Sequence, residues 1–191
     1  MKTIAWDIDD VLNDLMGRWL ESYKKKTPDC KVSYPELLKN PPNEIVGISM
    51  QDYLSSLDSF RVQNYLSLSP NPQILGWMKN NSKDFMHIAI TSTPMSCAHL
   101  SSHWLFKNFG EWIRSFTFIP SKRSADTHPA FFENKADFLK TQNIYAFIDD
   151  NEANISAAKK EGIRAILYPR PWNSQSADTN QILNSIKTGE F

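Results

Sequence analysis

Two aspartates one residue apart, Asp7 and Asp9, follow a short apolar run near the start of the chain. A second apolar run leads to Thr91, with Ser92 beside it, and a third leads to Asp149 and Asp150. If those runs are strands of one parallel sheet, the polar clusters meet, because ligands in such sheets bind beyond the carboxyl ends of the strands where several loops converge. Carboxylates gathered in this way repel one another and stay ionised only when a cation joins them. Hard oxygen donors favour magnesium, so a Mg2+ site follows from the electrostatics.

The elements that must position these residues are legible in the pattern of apolar residues. Residues 3–6, 85–90 and 144–148 are continuous rather than alternating, as expected of strands covered on both faces. Residues 115–119 and 165–168 are two further strands, and helix-like segments at 95–109 and 152–161 separate the strands from one another. Lys159 and Lys160 suit the negative end of the second helix, and Gly162 suits the left-handed position just past it. The alternation predicts an α/β fold with a doubly wound parallel sheet flanked by helices.

Between the first two strands lies a long stretch with no strand of its own. Leu12, Leu15, Met16, Trp19, Leu20 and Tyr23 recur at helical spacing, and Tyr53, Leu54, Leu57 and Phe60 mark another helix. Residues 40–43, with two prolines, read as a turn, while Pro70 and Pro72 punctuate the return. The expected organisation is an α/β core of residues 1–12 and 81–191 with a small helical cap at 13–80. One modest helix, 179–187, closes the chain.

Taken in order, Asp7-Ile8-Asp9-Asp10-Val11-Leu12 after one strand, Thr91 after a second, a lysine before a third and Asp149-Asp150 at its end resemble the four motifs of the haloacid dehalogenase-like phosphatase superfamily. Each motif is short, but four in the right order on the right elements are far more specific than any one. The resemblance spans nearly the whole chain and implies a Rossmann-like sheet with the cap inserted after its first strand. It implies Asp7 as the nucleophile that forms an aspartyl-phosphate, and Asp9 as acid toward the leaving oxygen and then base toward water. Asp7, Asp149 and the backbone carbonyl of Asp9 become the metal ligands, Thr91, Ser92 and a lysine hold the phosphoryl oxygens, and Asp150 and Asn154 support the metal site or the lysine. Lys135, which opens an apparent helix leading to the strand of Asp149, is preferred for that lysine over Lys122, because a charge at a helix start near the strand ends is well placed to reach phosphate.

The helical insertion is similar to that of the 5'(3')-deoxyribonucleotidases, and residues 166–173 resemble the segment after the last strand in bacterial members of that group. The substrate this implies is a nucleoside monophosphate; another phosphorylated metabolite, such as a sugar phosphate, is the nearest alternative, and a catalytically silent phospholigand-binding relative is a third. A receiver domain also gathers acidic residues, threonine and lysine at strand ends, but it has no long insertion after its first strand.

Plainer roles compete for several residues. Asp7 and Asp9, Thr91, and Asp149-Asp150 could cap turns or helices, and Asp10 and Asp14 read as solvated or capping residues. Asp10 stands where the superfamily often has glycine. His99 and His103 lie one helical turn apart without a third metal ligand. Trp19, Tyr23, Tyr53 and Phe60 read as cap core rather than a stacking platform, and 24–26 as a solvated helix end.

Composition narrows the partners. Acidic and basic residues balance at 21 each, so no overall field draws the protein to nucleic-acid polymers or an anionic membrane. No stretch is long and apolar enough to span a bilayer, and two distant cysteines, Cys30 and Cys97, suit a reducing compartment. A cytoplasmic protein is expected; oligomeric state stays open.

Overall fold

The computed structural model describes residues 1–121 and 130–190 of the 191-residue chain. Its sheet contains β1 (Lys2–Trp6), β2 (Phe85–Thr93), β3 (Ile113–Pro120), β4 (Ala146–Asp149) and β5 (Ala165–Leu167), all parallel, in the order β3-β2-β1-β4-β5. From β1 the chain builds outward through β2 and β3, then crosses to β4 on the other side of β1. Such a reversal opens a crevice at the carboxyl ends of the central strands. A receiver-type sheet follows the order 2-1-3-4-5, which this one does not.

Continuous apolar runs occur because both faces of the sheet are covered. Ile4 and Trp6 point into one core layer with Trp104, Leu105 and Ile182, whereas Ala5 points into the other with Phe147, Leu139 and Ile155. The first layer is closed by α4 (Pro72–Asn81), α5 (Ala98–Phe109) and α8 (Thr179–Thr188), the second by α6 (Lys135–Leu139) and α7 (Glu152–Lys160). Asn71, Asn134 and Asn151 each cap the helix that follows, accepting hydrogen bonds from backbone amides of its first turn. Past α7, Gly162 takes φ +75°, the left-handed conformation expected from its position.

The insertion holds α1 (Leu15–Lys26), α2 (Asn43–Val46) and α3 (Met50–Asn64). Trp19 stacks on Tyr23 at 5.4 Å between ring centroids and meets Tyr53 edge-on at 5.1 Å; Trp19, Tyr53 and Phe60 are buried. α4 begins within the range 13–80 and packs beside the sheet, where Trp77 meets Trp6 at 6.1 Å. The return from the insertion is pinned at Asn71, whose backbone amide donates to Leu12 O at 2.7 Å.

β2 extends past residue 90 to Thr93 because β3 continues alongside it, so Thr91 lies within paired strand, opposite Phe118. It caps no helix: α5 begins at Ala98 after a 3-10 turn. No helix among the described residues is long and apolar enough to cross a membrane.

Candidate active site

Asp7 leaves the end of β1 with its amide bonded to Ile148 O of β4, which fixes the backbone at the crevice. Its Oδ1 accepts from Ile8 N at 2.8 Å and lies 2.7 Å from Lys135 Nζ. Lys135 is the first residue of α6, and the same ammonium donates to Asp149 Oδ2 at 2.7 Å. Asp149 Oδ1 also accepts from Asn151 N at 2.8 Å, while Asn154 Nδ2 spans both carboxylate oxygens at 3.2 and 3.1 Å. Asp150 accepts from Trp172 Nε1 at 2.8 Å. Lys122 lies outside the described residues.

Asp7, Lys135, Asp149 and Asp150 are buried, and burial sets their electrostatics. Desolvation pushes the Asp7 carboxyl well above the usual carboxylate range; Lys135 opposes this, while Asp149 and Asp150 add to it. Desolvation, with help from Asp149 and Asp10, takes Asp150 up to about 8. For Lys135 burial favours the neutral amine, but Asp149 and Asp7 outweigh it and hold the ammonium above its ordinary value. Asp7, Asp149 and Asp150 each offer an oxygen within 4.8 Å of the others, and no other such grouping occurs among the described residues. Three carboxylates beside one ammonium leave two negative charges unbalanced when all are ionised. One divalent cation meets that deficit, so the donor set suits a hard metal ion. Asp9 is absent from this group, and its carboxylate is engaged by the cap.

There Asp9 Oδ2 accepts from Arg61 Nη2 of α3 at 3.1 Å. Oδ1 accepts from Asn13 Nδ2 at 3.2 Å and from the hydroxyl of Tyr65, in the 3-10 turn that continues α3. Asp10 is buried rather than solvated, and φ +63° puts it in the left-handed region, which Asp enters more readily than most residues with a side chain. Its Oδ1 accepts from Met16 N at 2.9 Å and so caps the start of α1. Desolvation takes its carboxyl up to about 7, against the pull of Arg170. Arg170, from the segment after β5, braces this loop by donating to the carbonyls of Asp10 and Asn13.

Asp7, Asp9, Thr91, Ser92, Lys135, Asp150 and Asn154 line one cavity of about 280 Å³. Thr91 is buried, yet its hydroxyl has no partner among the described residues, and the buried hydroxyl of Ser121 in the same lining likewise has none among them. Buried polar atoms seldom go unpaired, so these hydroxyls fit a polar ligand. From the insertion the same lining takes the apolar Leu15, Met16, Pro41, Met50, Leu54 and Leu57, with Tyr53 and the polar Asn40 and Arg61 among them. His99 and His103 are exposed on α5, away from this cavity.

Arg61, Tyr65, Asn13, Arg170 and Trp172 did not emerge from the sequence as site residues. Arg61 carried one signal: it sits four residues beyond Leu57, on the apolar stripe of α3, where an unpaired charge would be costly.

No family model matches the chain, and no curated protein matches its sequence. Solved structures share its fold. A haloacid dehalogenase-like family hydrolase from Streptococcus pneumoniae is 16% identical with TM-score 0.61, covering 96% of this chain and 90% of that one. A protein described as a β-phosphoglucomutase from Thermotoga maritima is 19% identical with TM-score 0.60, covering 98% of this chain and 99% of that one. A subfamily IA hydrolase of the same superfamily from Geobacter sulfurreducens is 13% identical with TM-score 0.58, covering 98% and 99%. The likeness is one of fold.

Proposed function

We propose that this chain is a magnesium-dependent phosphomonoester hydrolase of the haloacid dehalogenase type, working through an aspartyl-phosphate on Asp7 and acting on nucleoside monophosphates. One observation carries the reading: at the carboxyl ends of the central strands, Asp7 and Asp149 share the Lys135 ammonium at 2.7 Å each, and Asp7 and Lys135 line a cavity together with Thr91, whose hydroxyl has no partner among the described residues.

In the first half-reaction an Asp7 oxygen attacks phosphorus. The bond to the leaving oxygen breaks, and that oxygen takes a proton from Asp9, so the alcohol departs neutral. Thr91, Ser92 and Lys135 hold the phosphoryl oxygens and offset their growing charge. In the second half-reaction water attacks phosphorus, giving its proton to the Asp9 carboxylate as the bond to Asp7 breaks. Orthophosphate leaves, and both aspartates are restored. Asp7, Asp149 and Asp150, with the Asp9 carbonyl, would hold a magnesium ion, which would supply charge neutralisation at the phosphoryl group. Asn154 keeps Asp149 oriented toward it.

The leaving group would lie against the cap wall. A nucleoside offers a flat ring for Leu15, Met16, Met50, Tyr53, Leu54 and Leu57, whereas the hydroxyls of a hexose would meet polar cap side chains of this lining at Asn40, Tyr53 and Arg61, the last already bonded to Asp9 and Asp58. A sugar phosphate is the second reading, favoured by the similarity in fold to the protein described as a β-phosphoglucomutase. Cys30 and Cys97 are not joined in a disulfide, which accords with a cytoplasmic setting.

Phosphate release from a panel of nucleoside monophosphates, sugar phosphates and p-nitrophenyl phosphate, with magnesium and with chelator, tests this function. Nucleotide turnover that is abolished by chelator and by Asp7→Asn is expected. Turnover of sugar phosphates alone replaces the nucleotide assignment, and undiminished activity in Asp7→Asn refutes the mechanism.

A further inference from the structure

We propose that Arg61 and Tyr65 are positioning residues for Asp9, so that the cap, and not the catalytic loop alone, sets where the acid stands. The inference rests on the hydrolase function proposed above.

Asp9 lies two residues beyond the nucleophile, on a loop whose backbone the core holds tightly through Arg170 and the left-handed Asp10. That bracing stops at the backbone. Of the three side chains that donate to the Asp9 carboxylate, only Asn13 belongs to the loop; Arg61 and Tyr65 come from 52 and 56 residues further along the chain. They sit one helical turn apart on the same side of α3 and its 3-10 extension, so they reach Asp9 together. Each donor occupies its own oxygen, which fixes the plane of the carboxyl as well as its direction.

Both donors are themselves held. Arg61 is 7% exposed, and its Nη1 donates to Asp58 one turn earlier at 3.3 Å, so the guanidinium cannot swing out to water. The Tyr65 ring meets Trp104 of α5 edge-on at 6.2 Å, and Trp104 Nε1 donates to Leu68 O at 2.7 Å. Trp104 therefore ties the end of α3 to the core at the point where Tyr65 reaches Asp9. An acid moved by an ångström or by one torsion loses its line to the leaving oxygen, whereas the Asp7 nucleophile, held by Ile8 N and Lys135, does not depend on these contacts. Seating of α3 over the cavity and readiness of the acid are then one event.

A leaving-group comparison separates positioning from general structural support. An alkyl phosphate, such as a nucleoside 5'-monophosphate, expels a strongly basic alkoxide and needs the proton from Asp9. p-Nitrophenyl phosphate expels a stable phenolate and needs it far less. Tyr65→Phe keeps the ring against Trp104 and removes only the hydroxyl; Arg61→Met removes the second donor. Each variant is expected to lower kcat for the alkyl ester by about 10- to 100-fold, a part of the ~10²–10⁴ that a positioned acid contributes, with a clearly smaller loss on p-nitrophenyl phosphate. Asp9→Asn should show the same bias in stronger form. Thermal melts establish that the variants are folded; if Arg61→Met is not, Tyr65→Phe alone decides.

Equal losses on both esters, a change confined to KM, or undiminished alkyl turnover in Tyr65→Phe would overturn the proposal while leaving the hydrolase function standing. A wild-type chain that releases phosphate from no ester would remove both.

Discussion

Replacing Lys135 by methionine perturbs the centre of the site with little change in side-chain bulk. The substitution deletes the ammonium that lies 2.7 Å from Asp7 and 2.7 Å from Asp149. It leaves Asp7, Asp149 and Asp150 within 4.8 Å of one another with no cation among them. Removing one member of a buried ion pair costs about 3–5 kcal/mol, because the partner is left charged and dry. At roughly 2–4 °C per kcal/mol for a chain of this size, the melting temperature in chelator should fall by about 6–20 °C. The lower end is expected: a carboxyl cluster can take up a proton instead of staying charged, and Asp150 already titrates at about 8. Magnesium should recover more of the loss in the variant than it adds to the wild type, since it would supply the missing positive charge. Turnover should fall by about 10²–10³, the usual loss for a donor to a charged transition state. Calorimetry of both proteins with chelator and with magnesium, alongside phosphate release, is the assay. An unchanged melting temperature in chelator would show that Lys135 does not neutralise the carboxylates. An identical deficit with and without magnesium would show that no cation shares their site.

Two further outcomes follow from buried groups. His87 accepts from Trp6 Nε1 at 3.1 Å, and desolvation lowers its pKa to about 4, with Arg114 adding to the effect. The unfolded chain binds the proton more readily, so the stabilisation is complete above about 6.5 and drains away as pH falls toward 4, by about 3 kcal/mol in all. Asp10 and Asp150 act in the opposite sense: their raised values favour the fold at low pH, a contribution lost as pH rises through about 7 and 8. Urea unfolding of His87→Gln from neutral to mildly acid pH should show a shallower loss of stability than wild type, and parallel curves would dismiss the assignment. At Asp10, φ +63° makes Asp10→Gly more stable than Asp10→Ala by about 1 kcal/mol, since both lose the bond to Met16 N but only alanine meets the left-handed penalty; equal melting temperatures would contradict that.

The sequence by itself determined the α/β class and which strand ends gather the candidate site residues. Asp7, Thr91 and Asp149 each follow an apolar run long enough to be recognised locally, and a buried parallel strand needs little beyond that run to declare itself. Lys135 was legible for a similar reason, because it opens a capped helix beside the site. The tertiary structure decided what surrounds those residues. Nothing local marks Asp10 as buried; that depends on α1 and on Arg170, 160 residues away, closing over its loop. Nor does the spacing in α3 show that Arg61 and Tyr65 meet Asp9 rather than water, since periodicity defines a helix face but not what that face will touch. α4 likewise carries a helical pattern that would serve a cap or a sheet layer, and only its packing against Trp6 assigns it to the sheet. A strand end announces itself through residues adjacent in the chain, whereas the partners of Asp9 are set by the docking of a helix about fifty residues distant, which no short stretch of sequence encodes.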